Sequence, residues 1–383
     1  MSISPAKKAR VCLVEPQHSH EEVLFPLIEL LREKCDLCVI APHSLLAVDL
    51  LSRTSHLYRA RGFTPDSGKG ASGRLLGRFR SYCAIRGAVR DEGPDLVIFN
   101  STYSLADAAL LACLFRAQKK IQIIHNLQQF LAPGMGLLYR AFDANLVISE
   151  QVHKYVTGRH SEFSDLDYVL PIFFDGFLPG CPDRAHKGAH PCCLKLGVFG
   201  TIEDSRRNYS GLLNAVRAIA QDNEAPGFKI HLVGRAPAEI QAYIAEHRLE
   251  KVISYFTKFV PFSEMFQLLA DMDIVLFLID GEVRNAKHYN KYKISGTSTL
   301  MKAFKKAGAA STDFAVDDSL ADKCFQYPGS DIGSLLRLIA AGGITAEQVY
   351  AKEALYRADG EFSFAHQQER LLSLVQRVMA QSP

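Results

Sequence analysis

The chain has 383 residues, 48% of them apolar and 22% charged, which excludes a disordered or collagen-like chain and a small disulfide scaffold. Lys and Arg number 44 against 41 Asp and Glu, a formal net charge of +3, so no global field advertises nucleic acid. At roughly 150 residues per domain the length predicts two domains, each able to bury its own core.

Read along the chain, short β-branched runs alternate with helical stretches. Arg10–Val14 predicts a strand, Glu21–Lys34 a helix and Leu37–Ile40 a strand. Leu96–Phe99, Leu105–Arg116 and Ile121–His125 repeat that order, and Leu146–Ile148 leads into a helix from Glu150. The runs are near-continuous rather than alternating, the pattern of strands buried on both faces of a parallel sheet. From Leu170 to Cys193 the texture changes: the stretch holds four prolines and three glycines, and no helical period fits, which predicts a linker over 171–193. Alternation then resumes with strand Leu194–Phe199, helix Tyr209–Ala220, strand Lys229–Val233, helix Pro237–His247 and strand Val252–Phe256. Helix Ser263–Leu269, strand Ile274–Leu278, helix Thr297–Lys306, a short strand after Gly308 and a final helix Phe364–Met379 complete the chain. The expected fold class is therefore α/β, with two Rossmann-like doubly wound domains, 1–170 and 194–360, and a C-terminal helical segment, 361–383. Two such domains facing each other leave a central cleft at the C-terminal ends of their strands, where open α/β sheets bind ligands.

No stretch approaches the roughly 18 apolar residues of a membrane-spanning helix, the longest candidate being Ile274–Ile279. The N-terminus has a basic start but no apolar core of signal-peptide length before Glu15, and the nine cysteines are odd in number and scattered. A cytoplasmic protein is expected.

Two loops carry the elements of anion binding. After the Leu194–Phe199 strand, Gly200 and Thr201 lead to Arg206, Arg207 and Asn208 at a helix start. An arginine there grips a phosphate bidentately while the helix N-terminus adds its dipole; the plain alternative is a solvated arginine pair beside an Asn cap. Further on, Lys291 and Lys293 precede Ser295, Gly296, Thr297, Ser298 and Thr299, and an apolar helix follows. Hydroxyls and free N–H groups converging on a helix start predict a phosphate or diphosphate site, whereas a plain N-cap needs one hydroxyl. The GxxxxGK[ST] loop is absent.

The C-terminal half resembles the nucleotide-sugar domain of GT-B-fold glycosyltransferases, particularly their family-4-like retaining group. The matching features fall in order: LPIFFD for the P-x-G-V-D turn, Gly200 with Arg207-Asn208 for the phosphate loop, and Leu232-Val233-Gly234 for the L-x-G strand end. The stretch from Val252 to Leu278, the Ser295–Thr299 loop, and Phe362-Ser363-Phe364 for the F-S-W opening of the last helix follow. The resemblance implies a metal-independent, cofactor-free transfer, with retention of anomeric configuration, from a nucleotide-diphospho-sugar to a glycan or lipid-linked acceptor in surface-polysaccharide or glycoconjugate synthesis. It assigns the donor to Gly200, Thr201, Arg206, Arg207, Asn208, Gly234, Arg235, Lys258, Val260, Lys291, Lys293 and Ser295–Thr299, and sends the last helix back onto the N-terminal domain. The departures are a missing arginine after Gly200 and the absence of the paired glutamates, whose window holds Lys293 or Ile294 and then Met301 or Lys302. A lysine there favours phosphate charge; Asp280 or Glu282 is the alternative acid.

In the N-terminal half the resemblance makes His125 the residue that stabilises the reacting centre, with Asn126 beside it. Arg207 and Lys293 would steady the leaving diphosphate. The polar exit of the first strand, with His18, Ser19 and His20, is read as acceptor-binding. Cys35-x-x-Cys38 reads as buried thiols, and Asp271-Met272-Asp273 as a helix–strand junction rather than a metal motif. The Cys and His residues over 181–193 lack paired CxxC spacing. Residues 59–90 concentrate charge, with eight basic side chains against one acid, Asp66. Gly62–Gly73 reads as a loop, and the helix beyond it, with Arg74, Arg78 and Arg80, as a peripheral patch for anionic membrane, the plain alternative being a solvated helix. A UDP-sugar 2-epimerase and a non-catalytic sugar-nucleotide-binding relative are the rival functions.

Overall fold

The computed structural model describes residues 8–381 except 67, 69, 102–103, 132–135, 175–192, 223–225, 285 and 290. The chain divides into two units. One holds the residues up to Phe174, the short segment Tyr292–Ile294 and those from Ser363 onward; the other holds the remainder.

The first unit is built on a seven-stranded sheet in the order β3-β2-β1-β4-β5-β6-β7. The strands are β1 Arg10–Val14, β2 Asp36–Pro42, β3 Arg59–Phe63, β4 Leu96–Phe99, β5 Lys120–Ile124, β6 Ala144–Val147 and β7 Asp167–Tyr168. Every pairing is parallel. The central strands are sequestered on both faces: Val11–Val14 and Leu96–Phe99 are at most 1% exposed, which is why their sequences read as unbroken apolar runs. The sheet grows one way from β1 through β2 and the other way through β4, so the loops leaving β1 and β4 part company and open a crevice.

Three edge strands escaped the sequence reading for one reason. β3 (RARGF) is exposed at every position but its last, β7 has two residues, and β13 (Cys324–Tyr327) buries only its ends, so none carries a hydrophobic run. The stretch read as a loop over Gly62–Gly73 is corrected accordingly: Gly62 and Phe63 finish β3, and a helix runs from Gly70 to Glu92. Arg59 and Arg61, counted in the basic segment, are ion-paired on that edge, Arg59 to Asp36 and Glu92 and Arg61 to Glu92.

The final helix, Phe364–Ala380, packs within the first unit. It starts with Ser363 accepting from the His366 N–H and buries Leu371, Leu374, Val375 and Val378. The Gln367 side chain accepts from the Leu170 N–H at 2.8 Å, Gln368 donates to the Leu30 carbonyl at 3.0 Å, and the Arg370 guanidinium lies 3.9 Å above the Tyr168 ring. Phe173 meets Phe364 edge-on at 5.2 Å and Phe174 stacks on Phe25. Residues 171–174, read as the start of the linker, are thus buried structure of the first unit; 175–192 lie outside the described residues.

The second unit holds a six-stranded parallel sheet in the order β10-β9-β8-β11-β12-β13. Its strands are β8 Leu194–Phe199, β9 Phe228–Arg235, β10 Ile253–Phe256, β11 Ile274–Leu276, β12 Ala307–Ser311 and β13 Cys324–Tyr327. Helices Tyr209–Asp222 and Ile332–Ala340 bury Leu212, Leu213, Val216, Leu335 and Leu336 against Leu196, Val198, Ile230, Leu232 and Ile274 of the strands. Its switch point lies between β8 and β11. Among the described residues no helix is long and apolar enough to cross a membrane.

Leu371 is 1% exposed, so Leu371→Ala is expected to cost about 2–5 kcal/mol, read as a lowered denaturation midpoint of the first unit in urea.

Candidate functional site

In the second unit the chain leaves β8 at Gly200, whose φ of +104° is open to glycine and closed to other residues. A side chain at Gly234, at the end of β9, would put its Cβ 2.1 Å from the Gly200 carbonyl oxygen, so the two strand exits approach as only backbone can. The turn that follows delivers Arg207 inward. Arg207 is 9% exposed, donates through Nη1 to the Thr201 carbonyl at 3.2 Å and through Nη2 to Thr297 Oγ1 at 3.1 Å. Thr297 stands in the first turn of the Gly296–Phe304 helix, so the two loops singled out in the sequence meet through this bond. Ser295, Thr297, Ser298 and Thr299 are all buried, while Gly296 is exposed. Ser295 stands at the N-cap position without a side-chain capping bond.

Arg207 Nε and Ser298 Oγ are buried and have no hydrogen-bond partner among the described residues. Buried polar atoms in folded proteins are overwhelmingly paired, and two unspent ones flanking a helix N-terminus mark a place for an anionic group.

The other residues expected here separate. Arg206 turns to the surface, where its Nε lies 3.3 Å from Glu203, so the arginine pair is not a joint phosphate clamp. Asn208 caps the Tyr209–Asp222 helix by accepting from the Gly211 N–H at 2.7 Å and donates to Asp280 at 2.8 Å. Asp280, also bonded by the Glu282 N–H, is thereby spent as a support for this loop. Lys302, considered as added positive charge for a phosphate, is 1% exposed and bonded at 2.7 Å to the equally buried Asp317. Burial alone would raise the Asp317 carboxyl, but the Lys302 charge and hydrogen bond outweigh it and hold it below its ordinary range. Lys291 lies in the second unit, whereas Lys293 belongs to the first, where its backbone bridges Asn126 and the neighbouring Tyr292 carbonyl accepts from Leu127 N–H. Arg235 and Lys258 are exposed at the exits of β9 and β10, Val260 is buried, and Phe259 between the latter two is 73% exposed. Asp271 and Asp273 both bind Lys195, one through its side chain and one through its N–H, in keeping with a structural junction.

In the first unit a polar cluster fills the crevice at the ends of β1, β4 and β5. His125, directly after β5, donates through Nε2 to the Asn100 carbonyl at 2.6 Å, which leaves Nδ1 as an acceptor. Its ring lies 4.1 Å from that of His20. His20 has a φ of +68°, a left-handed conformation that a non-glycine residue adopts at a cost, at the start of the Glu21–Leu31 helix. Its Nδ1 is 3.0 Å from Glu22 Oε1. Burial alone would lower His20, but the Glu22 hydrogen bond and the charges of Glu22 and Glu15 raise it; burial and the His20 charge push His125 down to about 3. A proton in this pair therefore resides on His20.

Behind the rings sits Glu15, wholly buried, accepting from Asn100 Nδ2 at 2.7 Å, Ser101 Oγ at 2.6 Å and the Gln17 N–H at 2.8 Å. Burial raises its carboxyl to about 7 despite these bonds. His18 points away to Ser44 at 2.8 Å; Ser19 is exposed; Asn126 caps the following turn by accepting from the Gln128 N–H. Of the four residues read as acceptor-binding, His20 alone joins His125. Glu22, Asn100 and Ser101 were not singled out, and Glu15 only opened the polar exit; a polar residue directly after each of two buried strands is the signal that marks Glu15 and Asn100. Among the described residues no group of three His, Cys, Asp or Glu side chains is arranged to hold a metal ion.

No family model matches the sequence, and no curated protein matches it. Its fold is shared with solved structures. A glycosyltransferase from Rickettsia africae superposes with a TM-score of 0.66 at 12% identity, over 98% of this chain and 100% of that one. Sucrose-phosphate synthase from Thermosynechococcus elongatus gives 0.65 at 12% identity, over 97% and 100%. UDP-GlcNAc 2-epimerase from Neisseria meningitidis, bound to UDP-GlcNAc, gives 0.62 at 10% identity, over 96% and 100%. The chain thus has the GT-B architecture of two Rossmann-like domains, which these transferases and the epimerase have in common.

Two outcomes are expected. Arg207→Ala weakens binding of an anionic probe, pyrophosphate, by about 1–3 kcal/mol in calorimetry, while Arg206→Ala stays within about 0.5 kcal/mol. For Glu15, the folded value of about 7 lies above the ordinary glutamate value of 4.5. Its contribution to stability is therefore full below the lower value and lost as pH rises through the upper one. Glu15→Gln removes that slope, so the stability difference between variant and wild type shifts by about 3 kcal/mol across this window in urea titrations.

Proposed function

We propose that this protein is a glycosyltransferase that moves a sugar from a nucleotide-diphospho-sugar to a hydroxyl of a glycan or lipid-linked acceptor. The observation that carries the reading is the buried, half-spent arginine of the second unit. Arg207 and the first turn of the Gly296–Phe304 helix present an unpaired N–H, an unpaired hydroxyl and a helix N-terminus at a switch point. Such donors, fixed in a low-dielectric pocket, stabilise the negative charge that develops on a departing diphosphate. The shared fold with the Rickettsia africae and Thermosynechococcus elongatus structures supports this reading.

The polar cluster of the first unit offers groups for a hydroxyl-bearing acceptor. His125, neutral and aimed by the Asn100 carbonyl, would face a hydroxyl of the acceptor, and His20 with Glu22 would carry the nearby positive charge. The resemblance in the C-terminal half favours retention, with the leaving phosphate accepting the acceptor's proton.

A UDP-sugar 2-epimerase is the second reading. It is favoured by the fold shared with the Neisseria meningitidis enzyme and by Glu15, an acid raised to about 7 beside two histidines. A panel of nucleotide-sugars with and without acceptors separates the readings. Nucleotide release that requires an acceptor is expected; sugar interconversion without acceptor would establish the epimerase, and binding without turnover a non-catalytic relative. In the transferase outcome, NMR of the product anomer reports the stereochemistry, and His20→Ala and His125→Ala each lower kcat/KM by about 10²–10⁴-fold.

A further inference from the structure

Seven large apolar side chains are exposed among the described residues, and three of them, Leu75 (58%), Leu76 (49%) and Phe79 (45%), lie within five positions of one helix, Gly70–Glu92. The inward face of that helix is fully used: Tyr82, Ile85 and Val89 are buried with Cys12, Val14, Cys38 and Phe99. At 3.6 residues per turn, Leu75, Phe79, Cys83, Arg86 and Arg90 follow one another along the face next to it, with Leu76 and Arg80 beside them. All of these are exposed. The face is therefore apolar over its first turns and cationic beyond, and no acid occurs between Gly70 and Arg90.

The cations of this face are only partly neutralised. Arg80 pairs with Asp66 at 3.2 Å and Arg90 with its neighbour Asp91 at 3.7 Å. Arg78, counted from the sequence in the same patch, turns sideways to Ser104 and Asp107 and fastens the next helix, so it is a structural contact. Arg86 has no ion-pair partner among the described residues. A solvated helix has no use for two leucines and a phenylalanine in water, and a protein partner would have to match both the apolar turns and the cations. An anionic bilayer does so without specific shape, since the side chains enter the acyl boundary while the arginines meet the headgroups.

We propose that the exposed face of the Gly70–Glu92 helix docks the protein on an anionic lipid surface, with Leu75, Leu76 and Phe79 inserted and Arg86 and Arg90 on the headgroups. The occupant is the bilayer itself, whatever the acceptor.

Flotation of the full-length protein with vesicles tests this, with no nucleotide-sugar present, so the result is separate from the transferase reading. Binding to phosphatidylcholine vesicles containing one quarter phosphatidylglycerol is expected at low salt, weakening as salt rises. The combined variant Leu75→Ser, Leu76→Ser, Phe79→Ser should bind at least about tenfold less. Arg86→Ser, Arg90→Ser should bind about 30-fold less. All five side chains are exposed, so both variants should keep the wild-type melting temperature. Absence of binding to the anionic vesicles at low salt, or wild-type binding by the apolar variant, overturns the proposal. So does a wild-type dimer in size exclusion that the apolar variant converts to monomer without any vesicle binding, which would assign the face to a second copy of the chain.

Discussion

A parallel strand buried on both faces has room for a polar side chain only at its ends, and that constraint organises each unit of this protein. Val11–Val14 and Leu96–Phe99 are sealed, and the first residues able to carry chemistry are Glu15 after β1 and Asn100 after β4. In the second unit Leu196 and Val198 are sealed, and chemistry resumes at the Gly200–Asn208 turn. Because both sheets reverse their order at the central strand, the loops from these ends diverge and leave a crevice to be filled.

What fills it differs in kind. The second unit places an arginine between a carbonyl and a hydroxyl and leaves one of its N–H groups unspent. One of its buried lysines, Lys302, is instead neutralised by Asp317 and shielded, with its ammonium 5.6 Å from the Phe362 ring centroid. A buried charge with a matched partner maintains structure, and one with spare hydrogen-bonding capacity is available to a ligand.

The first unit handles charge by unequal sharing. Two histidine rings in contact cannot both be protonated cheaply, and the Glu22 carboxylate decides which one is. The left-handed backbone of His20 is part of the same arrangement, since it turns the ring at the helix start toward His125. Sites that push neighbouring groups apart in acidity are suited to moving protons, which both the transferase and the epimerase readings require.

The sequence by itself determined the architecture, because burial on both faces writes itself as continuous apolar runs. β1 and β8 were located to the residue, and the edge strands β3, β7 and β13 were missed because exposure erases that signal. It also marked Arg207, Thr297, Ser298, His20 and His125, each at a strand end or a helix start. Only the tertiary structure separated Arg207 from Arg206, spent Lys302 on Asp317 and Asn208 on Asp280, and set Lys293 beside Asn126. It also added Glu15, Glu22, Asn100 and Ser101 to the two histidines. The reason is physical: the sequence shows what a side chain is able to bond, and its availability depends on partners up to 90 residues away, as between Arg207 and Thr297.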